Sequence, residues 1–535
     1  MHFTHQSQKS EKKLKSFRRS FLALSIIAVI GWAIWSTTPF LSTRPRPNAS
    51  AANFKRHLDT RVPALLERFG VAGVSVATVI DGKPADDFAY GFADLAQGRA
   101  MTADSVFEVA SVSKSLTAWG MLRMIDAQQI ELDAPVERYI APWPLPDSPF
   151  AKDQVTIRRL LSHTAGVNPG NLGVRTPDEP AMPTRNVLRG EGTNSAIESA
   201  GPTRLEFPPG ERFFYSNPGY MLLQLAIEQQ SGLAFGDFMK QQVLGPLDMQ
   251  SSSFDWDPAL RSRTATPYLT NGSASPVTIL QDQATGSLFS TAPDLAKFLA
   301  AGMASTSNTG LSAASMAALY TPVVDLPPTD VQGLASDSDA LGHYVETLSG
   351  GRSAIMNGGF VPGWTSQFYM IPGSKEGIVV LTNSDRGRAV IAEIIADWAA
   401  WRGLPALKMT RTYGWVGTVG PFVVGVLGLI ALAIAFNTAT ELILRRRRIG
   451  PVTPGQFVRA LGLLIPAFAL GYLWFGFARM IVMFGFPWLE APMSLAVAAL
   501  GIALIASAAL PRIKAANASK PATSSSIVAE LKTSA

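Results

Sequence analysis

Phe107-Glu108-Val109-Ala110-Ser111-Val112-Ser113-Lys114-Ser115-Leu116-Thr117 is the stretch around which this sequence is organised. An apolar run follows at once (Leu116, Trp119, Met121, Leu122, Met124, Ile125), which predicts a helix beginning at or just before Ser111. Ser111 and Lys114 then stand one turn apart on one face, with free N–H groups of the first turn around the serine. A serine hydroxyl becomes a nucleophile when a neighbouring base takes its proton. A lysine can be that base where desolvation and like charge favour the neutral amine. Ser-x-x-Lys alone is a short pattern, and a serine at a helix start is by default a cap.

Two later stretches add chemistry. Pro208-Pro209-Gly210-Glu211-Arg212-Phe213-Phe214-Tyr215-Ser216-Asn217-Pro218-Gly219-Tyr220 reads as a turn presenting Tyr-Ser-Asn just ahead of a new helix. Asn357-Gly358-Gly359-Phe360-Val361-Pro362-Gly363-Trp364 leads into an alternating apolar segment, Gln367 to Ile371. Ser-x-x-Lys, Tyr-x-Asn and a polar-x-Gly on a strand, in that order, resemble the serine β-lactamase and penicillin-binding-protein superfamily. The Tyr-x-Asn form is similar to the class C β-lactamases and their esterase and D-aminopeptidase relatives. Leu160-Leu161-Ser162-His163-Thr164-Ala165-Gly166 and the run from Gly286 to Leu295 agree, and the likeness covers roughly residues 52–404.

The resemblance implies an α+β fold: one antiparallel sheet made from both ends of the domain, flanked by helices, with an all-helical subdomain. It implies a serine hydrolase working through an acyl-enzyme. Ser111 is then the nucleophile and Lys114 the base or proton relay. Tyr215 works with Lys114, taking a proton from Ser111 and returning it to the leaving group. Asn217 hydrogen-bonds Lys114 or a substrate amide. Asn357, Gly359 and Phe360 form the substrate side, and the N–H groups of Ser111 and Phe360 make an oxyanion hole. One position departs from the pattern. β-Lactamases carry lysine where Asn357 stands, and an asparagine offers a substrate carboxylate only neutral hydrogen bonds. Neutral esters or amides therefore suit this site better than β-lactams. Arg352 is a substitute cation only if it leaves an ordinary surface role.

Composition bounds the rest. A chain of 535 residues is long for one domain. It has no cysteine, which removes disulfides and thiolate chemistry and suits an exported bacterial protein. The net charge of +6 is not spread evenly. Residues 1–20, Arg445 to Arg448 and residues 511–535 hold more positive charge than the whole chain, so the remainder is net acidic. Basic clusters beside apolar runs orient a membrane protein, and nucleic-acid binding is not expected.

In chain order, a basic stretch (1–20) precedes an apolar run (21–41) read as an uncleaved signal anchor, with a signal peptide cleaved at Ala49-Ser50-Ala51 as the competing reading, and residues 42–52 as a linker. The hydrolase domain (53–404) opens with a helix, Phe54 to Phe69, in which Pro63 implies a kink or a later start. A hairpin follows, Val71 to Ile80 and Asp87 to Phe92 around Asp81-Gly82-Lys83-Pro84. Asn168 to Pro202 shows no period and reads as a loop bordering the cleft. Further helices are expected at Gly219–Gly232, Phe235–Leu244, Ala292–Met303 and Ala389–Trp401, with a last strand at Gly377–Thr382. Three apolar runs fill 413–510 and a basic tail ends the chain (511–535), which places both termini inside and 53–404 outside. Glu441, Arg459, Arg479 and Glu490 all sit near span ends, so anchoring is the expected role of these helices rather than transport.

The five histidines offer no Gly-x-Ser-x-Gly partner, and His163 reads as a structural turn residue. No spaced metal-ligand set is present, so no metal and no cofactor are expected. The expected partners are the membrane and a small-molecule or cell-envelope ester or amide. Two alternatives stand beside the hydrolase reading. One is a D-Ala-type peptidase, transacylase or penicillin-binding protein of cell-wall metabolism. The other is a catalytically silent envelope-binding or sensor module. Substrate identity and oligomeric state are not encoded in these motifs.

Overall fold

The computed structural model describes residues 2–170, 173–191, 201–304, 310–444, 447, 454–479, 482 and 485–510. Arg445, Arg446, Arg448 and the basic tail lie outside the described residues. The chain divides into two compact units, one of residues 36–420 and 481–489, the other of residues 1–35, 421–480 and 490–535.

The first unit is built on one antiparallel sheet. Among the described residues there are thirteen strands, numbered in chain order: β1 (Gly73–Ile80), β2 (Lys83–Asp94), β3 (Arg99–Ala100), β4 (Phe107–Glu108), β5 (Val174–Arg175), β6 (Ile279–Leu280), β7 (Phe289–Ser290), β8 (Val324–Asp325), β9 (Ser338–Asp339), β10 (Tyr344–Thr347), β11 (Ser353–Val361), β12 (Trp364–Ile371) and β13 (Glu376–Thr382). Nine of them form the sheet, in the order β3-β2-β1-β13-β12-β11-β10-β9-β8. The expected hairpin is β1–β2, and β1 lies beside β13 with Val74 opposite Thr382 and Val79 opposite Gly377. Both ends of the domain therefore meet in mid-sheet.

Side-chain parity explains why this sheet is buried on two faces. Val74 and Val76 of β1, Ile378 and Val380 of β13, and Tyr369 and Ile371 of β12 point into one core. Ala77 and Val79, Val379 and Leu381, and Phe368 and Met370 point into the other. A strand covered on both sides reads as a near-continuous apolar run, as Gly73–Ile80 does. The first core is closed by the helix Ala51–Phe69, through Phe54, Leu58, Val62, Leu65, Leu66 and Phe69, and by the helix Gly387–Trp401. Pro63 neither delays nor ends the first of these helices. It sits on the exposed face, where a helix curving around a core accommodates a missing hydrogen bond at least cost.

The second core is helical. Its centre is the helix Ser113–Asp126, most of whose residues are buried, packed against Asn217–Ser231, the short turn Gln283–Gly286 and Ala292–Gly302. The expected helix Phe235–Leu244 is continuous, α-helical over Phe235–Met239 and widened over Lys240–Leu244, just before Gly245-Pro246. Within Asn168–Pro202 the described residues include β5, which pairs with β6, and a helix Thr184–Leu188.

In the second unit the described residues are helical. Among the described residues of both units, four helices are long and apolar enough to cross a membrane: Ser16–Leu41, Lys408–Ile443, Phe457–Gly476 and Pro487–Ala509. Two ion pairs lie within this unit among the described residues, Arg479 with Glu490 (2.7 Å) and Arg447 with Glu441 (2.5 Å).

Candidate active site

Ser111 does not lie inside the long helix. It sits in a tight turn, Ala110–Val112, from which the helix Ser113–Asp126 continues. Ala110 takes φ 49°, a left-handed conformation that a residue with a Cβ adopts only when its surroundings hold it there. The surroundings are visible. β4 pairs with β7 just upstream, the N–H of Val109 donates to the Leu288 carbonyl (2.9 Å), and Ser366 Oγ donates to the Val109 carbonyl (2.7 Å). On the sheet side Gly359 lies against the turn so closely that a Cβ would strike the Val109 carbonyl and Ala110. Glycine is required there because two backbones approach each other.

The three residues expected to do chemistry converge. Ser111 Oγ lies 2.8 Å from Tyr215 Oη, and Lys114 Nζ donates to Ser111 Oγ at 3.1 Å. Lys114 is buried and donates also to the Thr285 carbonyl (2.9 Å). Its ammonium faces the rings of Tyr215 (4.9 Å to the centroid) and Tyr220 (5.5 Å). Hydroxyl, carbonyl and two ring faces thus hold one cation in a dry pocket.

Tyr215 is positioned by His163, which by sequence reads only as a structural turn residue. The two rings lie 4.4 Å apart, and His163 Nδ1 accepts the N–H of Ser216 (3.1 Å). Burial, and then the charge of Lys114, push the His163 imidazole well below its usual range, so it is neutral and fit to accept. Ser216 caps the following helix by accepting the N–H of Gly219 (2.9 Å) and donates to the Asn168 carbonyl (2.7 Å). Tyr220 is fully buried and donates to the Leu161 carbonyl (2.8 Å); burial raises its phenol well above the usual value. Asn217 opens the helix, half-buried.

Asn357 meets the site differently from the expectation. It is buried on β11, and its side-chain amide donates toward Ser115 Oγ (3.0 Å), the Gly342 carbonyl (3.1 Å) and the Ser111 carbonyl (3.3 Å). Its own Oδ1 accepts the N–H of Gly358 (2.8 Å). The amide is occupied in joining sheet to helix rather than presented to a substrate. Phe360 follows Gly359 at the end of β11 and is half-buried, with the Arg388 guanidinium 5.9 Å from its ring centroid. Arg352 is exposed at the foot of β11. Thr285, Ser115 and Gly342 were not singled out by sequence. Thr285 directly precedes the Gly286–Leu295 run, and that adjacency was the available signal. Among the described residues no group of His, Asp or Glu stands where it could hold a metal ion.

Comparison with known proteins follows this geometry. The β-lactamase family profile matches residues 58–400, well over half of the chain. The chain belongs to the β-lactamase family. It is 29% identical over 273 residues to penicillin-binding protein 4 of Amycolatopsis lactamdurans, covering 49% of this chain and 68% of that one. It is 30% identical over 206 residues to penicillin-binding protein 4* of Bacillus subtilis, covering 37% of this chain and 42% of that one. The chain thus spans about two thirds of the first relative and under half of the second. The D-amino acid amidase of Ochrobactrum anthropi, solved with L-phenylalanine amide, superposes with a TM-score of 0.51 at 20% identity, covering 65% of this chain and 98% of that one. That likeness is one of fold. This β-lactamase-family chain therefore has the penicillin-binding-protein-like architecture that the sequence implied.

Proposed function

We propose that this protein is a membrane-anchored serine hydrolase that forms an acyl-enzyme on Ser111 with ester or amide substrates outside the cytoplasmic membrane. One observation carries the reading: a single hydroxyl, Ser111 Oγ, lies within hydrogen-bond distance of both Tyr215 Oη and Lys114 Nζ. Lys114 and Tyr215 relay the serine proton to the leaving group, and the reverse path activates water for deacylation. The N–H groups of Ser111 and Phe360 stabilise the oxyanion, with Gly359 allowing the strand to approach the turn. Asn217 serves the same pocket from the start of its helix. Asn357 acts as a strut between β11 and the Ser111 turn. With asparagine as a strut there, no lysine stands at that position to meet a substrate carboxylate, which favours acyl groups without one. The names of relatives, penicillin-binding proteins and a D-amino acid amidase, support acyl transfer from amide-like donors.

The four apolar helices support the location, with residues 21–41 as anchor, 413–510 as a three-helix region and the hydrolase domain (53–404) between them. Basic residues 1–20, Arg445–Arg448 and 511–535 face the cytoplasm in this reading. A reporter fused after Ala535 behaves as cytoplasmic and one after Leu404 as external. An external C-terminus means a different number of spans. The enzymatic test is labelling of the full chain with a fluorophosphonate, beside a fluorescent penicillin. Wild type labels and Ser111→Ala does not. An inert wild type, or a variant that labels equally, removes Ser111 as nucleophile.

A further inference from the structure

The carbonyl that holds Lys114 is itself held from behind. Thr285 accepts the ammonium at its carbonyl (2.9 Å), and its hydroxyl reaches Asp282 Oδ2 (2.6 Å). Asp282 is wholly buried, and among the described residues its Oδ1 has no hydrogen-bond partner. Glu108, three residues before Ser111, is also buried and likewise leaves Oε1 without a partner. Neither carboxylate is needed for the acyl-transfer chemistry described above, and burying either costs several kcal/mol unless something charged compensates.

The two acids share one electrostatic environment. Burial, then the neighbouring Asp282, push Glu108 well above the usual carboxylate range. Burial pushes Asp282 up as well, but the Thr285 hydroxyl and the Lys114 charge pull against it and leave it at about 6. The two acids thus differ in what faces them: Asp282 meets the Thr285 hydroxyl and the charge of Lys114, whereas Glu108 meets chiefly burial and the neighbouring acid. From the opposite side Lys114 meets Ser111, the rings of Tyr215 and Tyr220, and the neutral His163.

We infer that Asp282 is a positioning residue for the serine site: through the Thr285 hydroxyl it aims the carbonyl that orients Lys114, and it supplies the buried negative charge that balances the ammonium. This rests on the reading of Lys114 as the base for Ser111. Without that charge the ammonium gives up its proton more readily, so the acid limb of the rate profile moves to lower pH. Without the hydrogen bond the lysine loses its fixed direction, so the plateau rate falls. A residue that only filled space would change neither limb nor plateau in this linked way.

The experiment is the second-order rate of fluorophosphonate labelling across pH, on the full chain in detergent. Asp282→Asn lowers the acid limb by roughly one pH unit, the scale on which a nearby charge acts. It also lowers the plateau by about tenfold, the scale of a small misplacement of a reacting group. Glu108→Gln, which leaves Asp282 and its link through Thr285 in place, moves the limb less. Thr285→Val cuts the link while keeping the carbonyl, and shifts the limb in the same direction as Asp282→Asn, with Thr285→Ser restoring it. A folded Asp282→Asn protein with an unmoved limb overturns the proposal, as does Glu108→Gln moving it as far. If Asp282→Asn does not fold, an unmoved limb in Thr285→Val overturns it equally. Failure here with a labelled wild type and an inert Ser111→Ala leaves the nucleophile reading standing; an unlabelled wild type overturns that reading first.

Discussion

Two groups of charged side chains lie in the sheet-bearing unit, and they are built on opposite plans. Where the helices Ala51–Phe69 and Gly387–Trp401 meet, Arg44 and Arg61 face Glu393 and Asp397. Arg61 Nε lies 2.7 Å from Asp397 and its other arm meets Glu393, while Arg44 reaches both acids at 2.9 Å. His57 Nε2 adds a contact of 3.1 Å to Asp397. Burial raises the Asp397 carboxyl, but His57, Arg61 and Arg44 more than offset this and hold it below its usual value. At the serine site Lys114 is held by a hydroxyl, a carbonyl and two aromatic faces. Matched ions lock a structure, because no partner can release its proton without stranding another charge. A cation whose direct partners are neutral, with its balancing charge set behind Thr285 at Asp282, can exchange a proton without breaking a direct ion pair, and that is what a base must do.

The largest effect expected from this contrast is at Lys114. Lys114→Met keeps the stem and removes the amine, and should slow acylation of Ser111 by a factor of about 10²–10⁴, the usual range for a general base. Stability should fall as well, since the buried Asp282 loses the charge that faces it. A variant that labels within a few-fold of wild type would mean that the proton leaves Ser111 by another route.

Arg61→Leu tests the other plan. Arg61 is nearly buried and serves two acids, so its removal leaves Glu393 and Asp397 with Arg44 between them and His57 on Asp397. The expected loss is about 3–5 kcal/mol of stability, the range for breaking a buried pair from one side. Labelling per folded molecule should hold. A small loss in the melting temperature, or a rate defect as large as that of Lys114→Met, would erase the distinction.

How much of this was legible in the sequence depended on the range of the contacts. Ser111 and Lys114 are neighbours on one turn, and Tyr215 and Ser216 adjoin a helix start marked by Pro218, so local spacing carried them. The strands of the sheet were readable where they are long, as in Gly73–Ile80. Two-residue strands such as Val324–Asp325 show no alternation to read. Side-chain direction was not readable. Asn357 stands in the right motif, yet its amide turns toward Gly342 and Ser115, acceptors that only the folded chain assembles. His163 bonds a residue 53 positions away, and Thr285 serves Lys114 from 171 positions away. Neither pairing leaves a periodic trace.

Acid sensitivity separates buried neutral bases from paired ions. Burial lowers His343 from its ordinary value to about 4, while its Nδ1 meets the Leu341 carbonyl at 2.9 Å. Above the unfolded value of 6.5 neither state binds this proton, and stability is complete. As pH falls below 6.5 the unfolded chain takes it up first, and stability is lost until about pH 4, where the folded state also binds. At about 1.4 kcal/mol per unit the loss approaches roughly 3 kcal/mol. His343→Gln should flatten that part of the melting-temperature curve. An unchanged slope would place the acid sensitivity elsewhere, with His163 the next group to test.

The smallest expected change is also the finest probe of how the serine site is held. Ser216 Oγ accepts the Gly219 N–H that starts a helix and donates to the Asn168 carbonyl, which is buried. Ser216→Ala removes a cap worth about 1 kcal/mol. It also removes the hydrogen bond that Ser216 donates to the buried Asn168 carbonyl, adding about 1 kcal/mol more. Ser50 is a cap of the same type, accepting the N–H of Asn53 at the start of Ala51–Phe69, far along the chain from Tyr215. Ser50→Ala should cost about as much as any cap and leave the labelling rate alone. Ser216→Ala should slow labelling by several-fold beyond its loss of folded protein, because Tyr215 is the adjacent residue and its hydroxyl must stay within reach of Ser111 Oγ. The ratio of rate loss to stability loss is therefore the quantity to measure in the two variants. Equal ratios would show that Tyr215 is held by His163 stacking alone, and that the cap contributes only to folding.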